Sequence, residues 1–289
     1  MPAFDEVCAR ALALPCSPTL LPRLGALLAR PDADVADLAD LIGLDPVLAS
    51  STVRLANSAF FGVGSAPVET VGQAVLRLGA AELYRLAAVS LASRWMAIEA
   101  DGYRWEAGDF CRASVVQAIA ADALARATGG VDPDLAYTCG LVHEIGKLAV
   151  AFSCGASFAA IRAHRAAHGG TWLEAETAVL GFNHAAVGAR LLAEWRFPAA
   201  CVAVVAHNPP DASLPAEHRA LAAHIHAAHH LAAALGLGQG EDAFLYCIDP
   251  GLLETHGLGA ELLERTLPVV LERAKRLLQG NLFTGQVKF

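Results

Sequence analysis

The chain has 289 residues, of which 55% are hydrophobic and 17% charged, and its formal net charge is −8. Such a composition excludes a disordered chain and supplies enough apolar surface for one large domain or two modest ones. The acidic balance argues against broad nucleic-acid binding, because neutralising a phosphate backbone needs a basic face.

In chain order, Asp5 and Glu6 stand where a signal peptide would carry positive charge, so secretion is not expected. Ser17-Pro18 and Asp45-Pro46 each place a capping side chain before a proline at the first helical position. Asp34 and Asp132 are further N-cap candidates. Leu38, Leu41, Ile42 and Leu48 recur at helical spacing, as do Val71, Val75, Leu76 and Leu78. Thr70 with Gln73 reads as a capping box, with Gly79 as a C-terminal stop. The pattern breaks from Ala100 to Asp109, which sets a seam between residues 1–100 and 101–289. A long helix is predicted over Phe110–Thr128. The uncharged run between Lys147 and Arg162 is too short to span a bilayer, and no membrane association is expected. Asn208–Ala216, with three prolines, reads as a loop, and a last helix is predicted over Ala260–Leu278, stopping at Gly280 before a polar tail. No alternating strand pattern occurs, and alanine and leucine dominate, so the fold class is all-α.

The seven cysteines are odd in number, scattered and without a CxxC spacing, which suits free thiols in a reducing cytoplasm. No nucleophile elbow, Walker loop or dinucleotide fingerprint is present. Chemistry concentrates in Gly140-Leu141-Val142-His143-Glu144-Ile145-Gly146-Lys147. An imidazole beside a carboxylate can ligate a divalent metal, and the same pair can be satisfied as hydrogen-bonded core residues. Cys139 lies one turn before His143 and reads as a small buried hydrophobe. His164 and His168, spaced i, i+4, read as a solvated helix face, with Glu174 or Glu176 as the nearest further ligands. His224, His226, His229 and His230 crowd one alanine-rich helix and are expected at its surface. Arg77, Arg85 and Arg94 read as a basic strip or as solvated helix charges. Asn57-Ser58 reads as a helix C-terminal cap, with Asn57 tolerating the left-handed conformation, or as a hydrogen-bond bridge between helices.

Several stretches together are similar to the HDOD domain, an HD-related output domain of bacterial signalling proteins. They are Leu21-Pro22, Ala39-Asp40-Leu41-Ile42 leading into Asp45-Pro46, Arg54 through Gly62 around Asn57-Ser58, Val71 through Gly79, and then Gly140–Lys147. Gly181–Gly188 with Leu191, Leu192, Trp195 and Pro198 continues the likeness, and Ala206-His207-Asn208 sits where relatives carry paired histidines. The resemblance spans roughly Ser17–Leu235. It implies an N-terminal helical bundle packed on an HD-phosphohydrolase-like helical core, with Asp45, Pro46, Asn57 and Ser58 as signature residues.

The resemblance also implies a metal set, carried over residue by residue. The earlier histidine aligns with Ala113, which cannot ligate. The histidine of the pair is His143. Its aspartate is Glu144, one methylene longer, and the later aspartate aligns with His229. His184 and His207 could add ligands. A degenerate pocket of His143, Glu144, His184, His207 and His229 is therefore expected, with no catalytic residue, cofactor or resident metal. The implied function is a non-catalytic regulatory module that binds a signalling protein, a second copy of itself, or a small ligand in the residual pocket. The alternative is a phosphohydrolase or phosphodiesterase using a divalent metal such as Mn, Fe or Zn.

Overall fold

A computed structural model describes residues 2–12, 20–30, 32–58, 61–62, 66–94, 102–106, 108–236, 241 and 249–279. Among these residues only helices and turns occur. The chain divides into two compact units, Pro18–Ser93 and a larger one made of Met1–Ser17 with Arg94–Phe289. The division thus falls at residue 93 rather than 100, and the first seventeen residues join the larger unit. Ser17-Pro18, Gly280 and the tail lie outside the described residues.

The smaller unit is built of α2 (Leu20–Leu28), α3 (Val35–Gly43), α4 (Pro46–Ala56), α5 (Val71–Leu78) and α6 (Ala80–Ala92). Its starts are chemically marked. Asp34 accepts from the Asp37 N–H at 2.7 Å, Asp45 accepts from Val47 and Leu48, and Thr70 with Gln73 closes a capping box. Gly79 turns the chain between α5 and α6 at φ 75°, a left-handed backbone that glycine adopts without steric cost. Helix α6 is the core element: apart from Arg85 it is buried from Leu83 to Ala92, and it packs against α2, α4 and α5.

Asn57 and Ser58 end α4. Asn57 has φ −93°, outside the left-handed region expected of it. Its amide instead clasps the backbone of Val68, donating to the carbonyl at 2.8 Å and accepting from the N–H at 2.7 Å. Arg77 reinforces the clasp by donating to the Ala56 and Ala66 carbonyls at 3.2 and 2.7 Å, so it is a structural strut and not part of a basic strip. The Ser58 carbonyl accepts from Gly62 at 2.7 Å.

In the larger unit α7 (Asp109–Thr128) is central, buried almost continuously from Phe110 to Ala125. It packs against α8 (Pro133–Val142), α14 (Ala216–Ala234) and α16 (Ala260–Gln279). Helix α9 (Ile145–Cys154) leads through a 3₁₀ turn to α10 (Phe158–His168), followed by α11 (Trp172–Leu180), α12 (His184–Glu194) and α13 (Ala199–Ala206). Helix α1 (Phe4–Leu12) packs on α9 and α12, and α15 (Pro250–Thr255) on α14. The apolar stretch Pro133–His168 is thus divided among several helices, and most of it is buried in protein. The Asn208–Ala216 loop and the final helix occur where the sequence predicts them. The final helix continues through Pro268.

Candidate functional site

Two glycines of the Gly140–Lys147 motif bring the site together. A β-carbon on Gly140 would stand 2.9 Å from the Gln117 carbonyl and 3.0 Å from the Ala118 α-carbon, so α8 lies directly on the α7 backbone. One on Gly146 would overlap the His184 carbonyl and stand 2.7 Å from the Gly188 nitrogen, so α9 and α12 touch backbone to backbone. Only glycine permits these approaches. They draw α7, α12 and the α8–α9 junction around His143 and Glu144, and the contact between α14 and α7 adds His229.

Among the described residues, His143, Glu144 and His229 are the group whose ligand atoms lie within 4.8 Å of one another. All three are buried, at 1, 7 and 4% exposure. His143 Nδ1 stands 2.8 Å from the Gly140 carbonyl, which only accepts, so the proton is on Nδ1 and Nε2 faces inward bare. That Nε2 is 3.5 Å from His229 Nδ1, which is also 3.5 Å from Glu144 Oε1. Gln117 on α7, 1% exposed, spans the group: its amide nitrogen is 3.4 Å from Glu144 Oε2 and 3.2 Å from His229 Nδ1. His229 Nδ1 thus faces the Gln117 amide, His143 Nε2 and Glu144 Oε1 together, and its tautomer decides which of them it bonds. The amide oxygen of Gln117 is buried without a hydrogen-bond partner. Lys147, 5% exposed and one turn along α9, donates to Glu144 Oε1.

The electrostatics follow from burial. Desolvation lowers the His143 pKa and pushes His229 down to about 3, so both rings are neutral. Burial works against a charged Glu144, but the Lys147 ammonium outweighs it and holds its carboxyl well below the usual carboxylate range. The cluster is a closed ion pair wrapped by neutral donors and acceptors.

A second layer surrounds His184. Glu176, fully buried, accepts from the His184 backbone N–H and from its Nδ1, both at 2.8 Å, and from the Tyr103 hydroxyl at 2.5 Å. Burial opposes the Glu176 charge, yet His184 and these donors keep its pKa below the ordinary value. The Tyr103 ring stacks on Trp105 at 4.9 Å and lies 6.0 Å from the Lys147 ammonium, joining the two layers.

The other sequence candidates fall elsewhere. His184 is buried but outside the 4.8 Å group. His207 lies in the loop after α13, its Nδ1 3.2 Å from the Ser213 hydroxyl and 3.3 Å from Asp211, and joins no ligand group among the described residues. Ala113 contributes no polar atom; the α7 side chain that reaches the cluster is Gln117, one turn later. Asp45 and Pro46 start α4, and Asn57 and Ser58 end it, in the smaller unit. His224, His226 and His229 are 1, 2 and 4% exposed, which overturns the expectation of surface histidines on α14. The reason is that α14 lies against α7, α8 and α13 and so has little free face. His224 pairs with the Thr128 hydroxyl at 2.8 Å, and His226 Nε2 accepts from the Asp249 N–H at 3.2 Å. The His164 and His168 rings stack at 4.4 Å on the outside of α10, and Glu176 turns away from them to His184. Cys139 is buried; a hydrogen bond with Cys201, together with burial, raises its thiol pKa well above normal, leaving an inert thiol.

Gln117 and Tyr103 are site residues that the sequence motifs do not expose, and Glu176 partners His184 rather than His164 and His168. Gln117 carried one signal, as the polar interruption of the apolar run between Ser114 and Ala121.

The family model for the HDOD domain matches residues 14–209. The chain belongs to the HDOD domain family. Over its length this HDOD protein is similar to an HDOD domain protein of unknown function from Geobacter sulfurreducens, with a TM-score of 0.70 at 21% identity, covering 96% of this chain and 98% of the other. It is similar to a candidate phosphohydrolase from Shewanella amazonensis SB2B, with a TM-score of 0.67 at 27% identity, covering 94% and 97%. A third likeness is to a candidate signal transduction protein from Marinobacter aquaeolei VT8, with a TM-score of 0.69 at 24% identity, covering 96% of this chain and 60% of that one. An uncharacterized protein of Treponema pallidum (strain Nichols) is 26% identical over 213 residues, 72% of this HDOD chain. The chain spans 40% of the length of that curated relative.

The donor set does not fit a resident divalent cation. Three acceptors converge, but an ammonium already stands on one carboxylate oxygen and an amide N–H covers the other. Histidines and carboxylates that hold a metal keep their inward lone pairs for it.

Proposed function

We propose that this HDOD protein is a non-catalytic output module of bacterial signal transduction that works by binding a protein, a second copy of itself or a small ligand. The observation that carries this reading is closure. Metal-dependent phosphoryl chemistry needs an open coordination position that substrate can reach. Here His143, Glu144 and His229 are each under 8% exposed, and their inward atoms already face one another and the donors of Lys147 and Gln117. Free Cys8, Cys111, Cys139, Cys154 and Cys201 suit a reducing cytoplasm. The likeness to a candidate signal transduction protein agrees with the reading.

A second reading, a phosphohydrolase or phosphodiesterase using Mn, Fe or Zn, is favoured by the spacing of His143, Glu144 and His229 and by the likeness to a candidate phosphohydrolase. Hydrolysis of a chromogenic phosphodiester by untagged protein, with and without added Mn(II), Fe(II) or Zn(II), separates the two. The module reading expects no turnover above a His143→Ala control. Metal-dependent turnover that disappears in His143→Ala, with the fold retained by circular dichroism, overturns it.

A further inference from the structure

We propose that Lys147 and Gln117 have taken over the work of a divalent cation at the His143–Glu144–His229 cluster, so that the chain takes up no metal there unless Lys147 is removed. A buried carboxylate beside the bare Nε2 of His143 and a second imidazole is a set rich in acceptors, and burial makes an unpartnered acceptor costly. A divalent cation is one solution. This chain carries another: the Lys147 ammonium on Glu144 Oε1, and the Gln117 amide spanning Glu144 Oε2 and His229 Nδ1 at 3.4 and 3.2 Å. The Lys147 ammonium and the Glu144 carboxylate are opposite unit charges in direct contact. A divalent cation added beside Lys147 would put like charges together in a dry interior, which low dielectric makes severe.

The residues also show why glutamate suits this arrangement. Its extra methylene lets the carboxylate reach forward along α9 to a residue three positions later, the spacing at which helical side chains meet. Gln117 supplies the complementary detail. With its nitrogen turned to the acceptors, its oxygen is left buried and unpartnered. In a cluster freed of Lys147 the amide could turn over, and its oxygen would complete a set of two imidazoles and a carboxylate around a metal.

The inference stands apart from the functional reading. Metal uptake without hydrolysis would sink the inference and leave the module intact. Hydrolysis that depends on His143 would overturn the module.

The test is elemental analysis after gel filtration, with thermal melting, on full-length wild type, His143→Ala, Lys147→Met, and Lys147→Met combined with Glu144→Gln or with His143→Ala, each exposed to Zn(II) or Mn(II). Wild type minus its His143→Ala variant is expected to hold under about 0.1 equivalent, with no change in melting temperature on adding metal. Lys147→Met is expected to take up about one equivalent and to melt higher with metal, by several degrees, and both double variants lose that gain. A Lys147→Met protein that is unfolded in chelator and folds when Zn(II) is added supports the inference equally. A His143-dependent equivalent of metal in wild type overturns it. So does a Lys147→Met protein that metal neither loads nor stabilises, or an uptake that survives Glu144→Gln.

Discussion

Glu144 sits where a negative charge is hard to keep, below a tenth exposed and among apolar helices. Its stability depends on Lys147, and the dependence is mutual. Removing one partner of a buried pair leaves an uncompensated charge and costs about 3–5 kcal/mol, whereas replacing both by neutral groups of similar shape costs far less. Glu144→Ala is therefore expected to lower unfolding free energy by that amount in urea titration. The combination of Glu144→Gln with Lys147→Met should recover most of it, as a double-mutant cycle would report. If the single and double changes cost the same, the ion pair is not what keeps the carboxylate charged. At this scale the sequence is only partly informative. His143, Glu144 and Lys147 lie within five residues, so a linear motif exposes them together. Gln117 and His229 enter from α7 and α14, and nothing in spacing says which turn of either helix faces the pair. Ala113 and Gln117 differ by one turn, and only the packing of α8 on the α7 backbone decides between them.

Helix boundaries were far more legible, because their causes are local. Asp34, Asp45, Thr70 and Asp132 cap where side-chain chemistry says they should, each satisfying N–H groups that the first turn leaves open. Asp45→Ala is expected to destabilise the smaller unit by about 1 kcal/mol, read from its thermal or denaturant midpoint. The element-level feature that spacing could not reveal is the crossing of α9 on α12. Gly146→Ala puts a methyl group against the His184 carbonyl, and backbone cannot rotate away as a side chain can. The expected cost is about 1–3 kcal/mol or somewhat more, with a loss of near-ultraviolet signal from Tyr103, whose hydroxyl is held by the same Glu176 that holds His184. A Gly146→Ala protein as stable as wild type would mean that the two helices do not meet backbone to backbone. The buried face of α14 escaped the sequence reading for a related reason. Histidine is usually a boundary residue, and only the packing of α14 against α7, α8 and α13 forces three of its five histidines inside.

For the whole molecule these histidines predict an acid limit to stability. His226 titrates at about 4 because burial disfavours its charged form more than Asp249 favours it, and His224 is lowered by burial too. In the unfolded chain both would titrate near 6.5. A group whose pKa is depressed on folding contributes stability above its unfolded value and loses it as pH falls. Unfolding free energy should thus begin to fall below about pH 6.5 and continue to about pH 4, with His226 alone accounting for on the order of 3 kcal/mol. Protonation would also turn His226 Nε2 from acceptor to donor against the Asp249 N–H. The check is a set of melting curves from pH 7.5 to 4.5, with His226→Gln expected to flatten the slope. An unchanged slope would mean that His226 is not held neutral.

Because Met1–Ser17 belongs with Arg94–Phe289, residues 18–93 form an insertion, leaving and re-entering one larger body. While that body stays folded, the insertion can unravel only as a closed loop of roughly 75 residues, and such a loop has fewer arrangements open to it than a free chain. Its host thus acts as a clamp on the disordered state, worth on the order of 4 kcal/mol by loop-closure entropy. Excised residues 18–93 should melt well below the same segment in the intact protein, and a circularised version should recover much of the difference. Losing the host's fold would then loosen the insertion without breaking any of its own contacts.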